Sequence, residues 1–292
     1  MMAFHVFHPF VVFALLTACM ATVPTEQPLV KVASLPSVLD ECSGLVRLQD
    51  DLFIGLNDSG DEARLYRFAE GRTDAEEVRI LNADNRDWEE MAADSQFVYI
   101  ADTGNNGNDR NDLCIYRVPR AGLEAADSAR AERIDMRYPG RDDLRPSNRH
   151  NYDCEAIIAY GDYLYLFSKN RGDLRSDLYR VPARPGDHEA TWLGRIEVGG
   201  LITGADWRPA KNGLVEIVLV GYSVLSKKKY KPFLMYADAV DLSRYSSTAF
   251  RRYAYDELLQ TETVMFNGPD EVLLTNEGEH GDEGFLYSFR LD

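Results

Sequence analysis

Arg86–Pro119 reads RDWEEMAADSQFVYIADTGNNGNDRNDLCIYRVP. Carboxylates open it. An apolar run, Phe97–Ala101, follows, then an Asn/Asp/Gly-rich loop (102–112), then a second apolar run, Cys114–Val118. Aromatic, aliphatic and β-branched runs separated by turn formers predict short antiparallel strands. The same order recurs at four other places. Glu41-Cys42-Ser43-Gly44-Leu45, Asp87-Trp88-Glu89-Glu90-Met91, Asp153-Cys154-Glu155-Ala156-Ile157, Leu201-Ile202-Thr203-Gly204-Ala205 and Gln260-Thr261-Glu262-Thr263-Val264 each centre on Ser, Thr or Glu. Each is followed by a second strand, a polar loop and a third strand, and the first four also by an alternating fourth strand.

Four strands repeated at a spacing of about 50 residues are the blades of a β-propeller. The fold class is therefore all-β, with five four-stranded blades. The fifth repeat ends after its third strand, and Leu29–Leu35 supplies the fourth from the other end of the chain. That closure removes an open sheet edge. The alternative, six blades, needs a hidden unit in Arg120–Tyr152. That stretch holds one clear strand and polar filler, so it reads as an insertion, with a helical turn in 120–132. Residues 29–292 form one domain.

Residues 1–19 are of another kind. Phe10–Leu16 is apolar and far below the roughly 20 residues a membrane span needs. A short apolar run followed by small residues reads as an export signal. Leu16-Thr17-Ala18-Cys19 resembles a bacterial lipobox, which implies acylation of Cys19 and a short tether over 20–28. Met20 rather than Asp at the next position implies an outer-membrane lipoprotein in a Gram-negative envelope. The remaining cysteines, Cys42, Cys114 and Cys154, allow one disulfide at most and read as small buried residues.

In a propeller the first strand of each blade lines the central channel, and the second runs antiparallel to it. First-strand starts and second-strand ends thus share one face. Glu41, Asp87, Glu89, Asp153, Glu155 and Glu262 occupy the starts. Asp58, Asp102, Lys169 and Glu277 occupy the ends. Asp206 adds to the wall. So many carboxylates in one concavity must be protonated, paired, hydrogen-bonded or bound to a cation. Ca²⁺, which takes six to eight oxygens, suits this donor set. Zinc does not, for want of a Cys/His cluster. The expected metal ligands are Glu89, Glu155 and Glu262, and any catalysis falls to Glu89, Glu155 and Lys169.

Each carboxylate also has a purely structural reading, as a cap on backbone amides or a lock between blades. Trp88 and Trp207 read as inter-blade packing, and His150, His188 and His280 as surface residues. Ser43 and Ser59 lack a nucleophile elbow. Lys227–Lys231 (KKKYK) reads as a solvated hairpin tip, with an anion or membrane contact as the alternative. A net charge of −16 disfavours nucleic acid and favours cationic partners. The chain is expected to be a monomer.

The motifs ECSGL (41–45), LNDSG (56–60), DWEEMA (87–92), YIADTGNN (99–106), DCEAI (153–157), FSKNR (167–171), TGAD (203–206) and TNEGE (275–279) make the chain similar to the extracytoplasmic SdiA-regulated and esterase-like-phytase propeller families. The phytase-like resemblance implies a Ca²⁺-assisted phosphoesterase, with Lys169 or Arg171 on the phosphate. The residues themselves support an envelope-anchored propeller that binds a cation and a small ligand or protein partner. A Ca²⁺-dependent hydrolase of phosphoesters, lactones or esters is the alternative, and a plain scaffold is the third reading.

Overall fold

A computed structural model describes residues 22–24, 28–141, 144–226, 229–245, 248, 250–278 and 283–291. Cys19 and the export segment, Lys227, Lys228 and His280 lie outside the described residues.

Five antiparallel sheets form the ring. Blade 1 is Cys42–Arg47, Leu52–Asn57, Arg64–Ala69 and Glu76–Ile80, from channel to rim. Blade 2 is Glu90–Ala93, Phe97–Asp102, Cys114–Pro119 and Glu132–Arg137. Blade 3 is Cys154–Tyr160, Tyr163–Ser168, Arg175–Pro182 and Thr191–Glu197. Blade 4 is Leu201–Pro209, Val215–Ser226, Lys229–Val240 and Arg251–Ala254. Blade 5 is Thr261–Phe266, Glu271–Asn276 and Phe285–Arg290, completed at the rim by Val30–Ser34. The ring closes as expected: Val30 pairs with Ser288 and Ser34 with Phe285, antiparallel. The only α-helix among the described residues is the single turn Arg120–Leu123.

There is no central core. The apolar side chains pack in five layers between neighbouring sheets. Ile54, Leu56 and Leu65 of blade 1 meet Trp88, Met91 and Ile100 of blade 2, for example. Equivalent layers join blades 2 and 3, 3 and 4, 4 and 5, and 5 and 1. Trp88 is wholly buried in the first layer, and its Nε1 donates to Asp84 O at 3.0 Å. Trp207 packs edge-on against Tyr160 of blade 3, with ring centroids 4.8 Å apart. Both tryptophans are inter-blade packing.

The repeated motif is a β-bulge at the start of the channel strand. Pairing slips between Cys42 and Gly44, Cys154 and Ala156, Ile202 and Gly204, and Thr261 and Val264. The extra residue re-aims its side chain. Ser43 thereby donates to Trp88 O of blade 2, and Thr203 to Thr261 O of blade 5. The Ser/Thr versions of the motif are blade locks, which leaves the Glu versions to the mouth. Gly204 follows one bulge because the next channel strand passes too close for a side chain. A Cβ there would lie 2.5 Å from Glu262 O.

Three short parallel strands cover outer edges, and the sequence reading did not foresee them. Ser128–Ala129 lies on Arg79–Ile80 of blade 1, and Gly186–Glu189 on Ile134–Arg137 of blade 2. Thr22–Pro24 lies on Arg252–Ala254 of blade 4. Part of the expected 20–28 tether is therefore a strand.

Candidate functional site

The channel mouth gathers Asp58 from blade 1, Asp87 and Glu89 from the approach to blade 2, and Asp153 and Glu155 from blade 3. One carboxylate oxygen from each of Asp58, Asp87 and Glu89 lies within 4.8 Å of the other two. The same holds for Glu89, Asp153 and Glu155, so Glu89 belongs to both triads.

The triads differ in what already neutralises them. Lys169, buried at the end of the second strand of blade 3, bonds Glu155 through its Nζ and stands 5.2 Å over the Tyr222 ring. Arg171 reaches Asp153 at 3.3 Å and Glu155 at 3.4 Å. Asp153 also accepts the Asn105 amide at 2.8 Å. This triad therefore carries its own cations. The other has none. Asp58 accepts from the amide and the hydroxyl of Ser59. Glu89 is 4 % exposed, and its Oε1 has no hydrogen-bond partner among the described residues. Gly104 packs directly on the Glu89 Oε1 and Asp87 Oδ2 atoms, where a Cβ would collide with both. Glycine at 104 makes room for that pair of oxygens.

The electrostatics follow from burial and crowding. Desolvation, then the charges of Asp58 and Asp153, push the Asp87 carboxyl up to about 7. Glu89 is raised well above the ordinary carboxylate range by burial and by Glu155, Asp58 and Asp153. Burial also raises Asp58, with Lys169 and the Ser59 amide opposing it. Glu155 is raised by burial and pulled back by Lys169, and Lys169 is held protonated by Glu155 against its own desolvation. A pocket of raised carboxyls is one that a cation would stabilise.

The other expected residues sort themselves by position. Glu262 is buried and raised by desolvation. It accepts from Gln260 Nε2 at 2.6 Å, and the same amide bonds Glu277. Glu262 thus belongs to a polar cluster in blade 5 and joins neither triad. Glu41 is exposed, directly before the channel strand of blade 1, and its carbonyl accepts the Asp58 amide at 3.1 Å. Asp102 is a brace: it accepts from Asp87 N at 3.1 Å and pairs with Arg110 at 2.9 Å.

Asp206 is not in the mouth. It lies on a cavity at the opposite end of the channel, because it is four positions along an extended strand from Ile202 at the entrance. His150 is not a surface residue. It is 7 % exposed, with Nε2 against Asn106 O at 3.3 Å and Nδ1 accepting from Tyr152 N at 3.2 Å. It props the 102–112 loop, and burial lowers its pKa. Cys42, Cys114 and Cys154 are free and buried, and burial pushes the Cys114 and Cys154 thiols up to about 12.

One carboxylate escaped the sequence reading. Glu90 is 1 % exposed. Its Oε1 accepts the Met91 amide at 2.8 Å, while its Oε2 has no hydrogen-bond partner among the described residues. Its electrostatic neighbours are Asp206, Glu262 and the Ala205 amide of blade 4, across the ring. Glu90 therefore sits inside the channel, between the mouth and the far cavity, and burial raises its pKa strongly. The available signal was the Glu89-Glu90 pair itself: consecutive strand residues face opposite ways, so the two acids must have different surroundings.

Fold and site define a five-bladed propeller with an acidic mouth. An α-L-arabinanase of Penicillium chrysogenum, solved with arabinobiose, matches 91% of this chain and 99% of its own at TM-score 0.51 and 9% identity. An endo-arabinase from Bacteroides thetaiotaomicron matches 91% of this chain and 99% of its own at TM-score 0.48 and 8% identity. An α-L-arabinofuranosidase of Fusarium graminearum, with arabinobiose, matches 90% and 98% at TM-score 0.48 and 8% identity. No family model matches the chain, and no curated protein matches it.

Proposed function

We propose that the protein is a binding propeller whose mouth holds one divalent cation on Asp58, Asp87 and Glu89, with a small ligand or a protein partner seated beside it. The observation that carries this reading is the Glu89 Oε1, buried and without a hydrogen-bond partner among the described residues, in a triad to which no base is bonded. A Ca²⁺ ion holds its oxygens at about 2.3–2.6 Å, so three oxygens all within 4.8 Å of one another fit on one such sphere. The ligand set differs from the expected Glu89, Glu155 and Glu262: Lys169 occupies Glu155, and Gln260 occupies Glu262. The expected acylation of Cys19 would carry the ring on the outer membrane, with the ligand drawn from the envelope.

A hydrolase is the second reading. Fold likeness to arabinan-cleaving enzymes and motif likeness to the phytase-like propellers support it. Lys169 and Arg171 are turned onto Glu155 and Asp153 rather than left open for a phosphate, which favours binding over phosphoester cleavage.

The test is a thermal melt of the purified chain, stripped with EDTA and titrated with Ca²⁺, Mg²⁺ and Mn²⁺. An ion present at 100 times its Kd adds about 2.7 kcal/mol. Glu89→Gln should abolish the gain. A gain of unchanged size in Glu89→Gln would overturn the assignment. In parallel, phosphoester and lactone turnover that falls with Asp87→Asn would promote the second reading.

A further inference from the structure

The hairpin of blade 4 is longer than the ring needs. The channel strand of that blade starts at Leu201, which pairs with Tyr222. The second and third strands, Val215–Ser226 and Lys229–Val240, continue past that level through the pairs Ser223–Lys231, Val224–Tyr230 and Ser226–Lys229. Four residues at about 3.3 Å each carry Ser226 about 13 Å beyond Tyr222, out from the mouth face. The root of this projection is braced. Ser223 Oγ donates to Gly199 O at 3.2 Å and accepts from Arg252 Nη2 at 3.3 Å. The Tyr222 and Tyr230 rings lie 4.8 Å apart.

Two features set the projecting part off from the rest of the surface. It carries exposed apolar side chains: Val224 is 54 % and Leu225 58 % exposed. Pairing slips between Val224 and Ser226, so Leu225 sits in a bulge, left out of the ladder. It is also purely basic. From Ile217 to Ala237 the sequence holds four lysines and not one Asp or Glu, in a chain of 48 acids against 32 bases. Lys229 is exposed and Lys231 half-buried, and neither has an ion-pair partner among the described residues. The acidic body would repel an anionic surface brought against it. The Debye length at physiological salt is about 8 Å, however, so the end of the hairpin stands clear of most of that field.

We propose that this hairpin docks the ring on an anionic lipid surface. Val224 and Leu225 enter the headgroup layer, and Lys229 and Lys231 rest on lipid phosphates. Such an interface accommodates apolar side chains beside lysines, whose stems lie along the apolar surface while the ammonium groups stay in the polar layer. An acidic protein would also satisfy the lysines. Two paired strands, however, fall well short of the roughly 800 Å² that each partner of a standard protein interface buries. The contact is separate from the acyl anchor expected at Cys19 and does not depend on the cation site. It turns the mouth toward the lipid.

The test is co-sedimentation of the full chain with vesicles of phosphatidylcholine alone or mixed equally with phosphatidylglycerol. The chain carries Cys19→Ser, so that no acyl group anchors it, and EDTA is present, so that no cation bridges mouth and lipid. Each lysine near an anionic surface is worth about fivefold in partitioning. The mixed vesicles should therefore bind at least tenfold more tightly than phosphatidylcholine alone. Lys229→Glu with Lys231→Glu, and separately Leu225→Asp, should each weaken that binding at least tenfold. Tyr163→Ser, exposed on the opposite face of the ring, should leave it unchanged. Equal binding to both vesicles, no binding to either at millimolar lipid, or full binding by Leu225→Asp would each overturn the proposal. Polyglutamate bound as tightly as the mixed vesicles would assign the hairpin to an acidic protein and overturn it as well.

Discussion

Asp87→Asn separates the cost of the empty mouth from the gain on filling it. In the unfolded chain the Asp87 carboxyl titrates near its ordinary value of about 3.9. In the fold, burial and then the charges of Asp58 and Asp153 push it up to about 7. The folded state therefore binds this proton more tightly than the unfolded state does. The contribution is harmless below about pH 4, where both states are protonated. It grows into a penalty as the pH climbs from about 4 to about 7, where only the unfolded state has released the proton, and is complete above that. The gap between those two values corresponds to about 4 kcal/mol, and solvent screening at the half-buried edge reduces this to about 2 kcal/mol. Asn removes the titration.

Metal-free Asp87→Asn should therefore be more stable than wild type by about 2 kcal/mol at pH 8, or roughly 4–8 °C in melting temperature. The advantage should vanish at pH 4. With Ca²⁺ at 100 times its Kd the order should invert, because wild type gains about 2.7 kcal/mol and the variant lacks a ligand. Urea melts at pH 4 and 8, with EDTA and with Ca²⁺, read all four quantities. A metal-free Asp87→Asn that is less stable than wild type at pH 8 would refute the crowded-carboxylate argument. One that keeps the full Ca²⁺ gain would refute the ligand assignment.

Three further outcomes can be measured by denaturant melts and solution scattering. Lys169→Met strands a buried Glu155 and should cost about 3–5 kcal/mol; adding Glu155→Gln should restore most of it, and additive losses would contradict the pairing. Gly204→Ala forces a Cβ against Glu262 O and the Thr263 Cα and should cost more than about 2 kcal/mol, whereas Gly122→Ala, in the helical turn, whose Cβ meets only the Ala129 Cβ at 3.9 Å, should stay within about 1 kcal/mol. Deleting residues 28–34 strips blade 5 of its outer strand and bares Phe285–Arg290 as an open edge, so the truncated chain should aggregate; a monomer of unchanged melting temperature would deny that this strand closes the ring.

The blades were legible because their signals are local. Second and third strands announce themselves by aromatic and β-branched runs between Asn/Asp/Gly loops, as at Phe97–Ala101 and Cys114–Val118. The closing strand was legible by subtraction, since the fifth repeat lacked one. The edge strands Ser128–Ala129 and Gly186–Glu189 were not, because two to four residues with no apolar alternation carry no strand signal. The motif centres were found as a repeat, yet their split into locks and ligands was hidden. Ser43 and Thr203 bond carbonyls 45 and 58 residues away in the next blade, and no short-range pattern reports that.

The sequence by itself determined the five-blade architecture, its closure by Val30–Ser34, and the drift of Asp58, Asp87, Glu89, Asp153 and Glu155 to one face. Period, turn chemistry and strand direction are properties of neighbouring residues. Tertiary structure alone decided which of those acids share an oxygen cluster, that Lys169 claims Glu155, that Gln260 bonds Glu262, that Glu90 stands inside the channel, and that Asp206 and Arg47 meet one cavity at its far end. The reason is physical. A carboxylate's partners and its pKa are set by groups brought in from other blades, and the angular packing of five sheets around an axis, with a bulge at the start of four channel strands, fixes those distances.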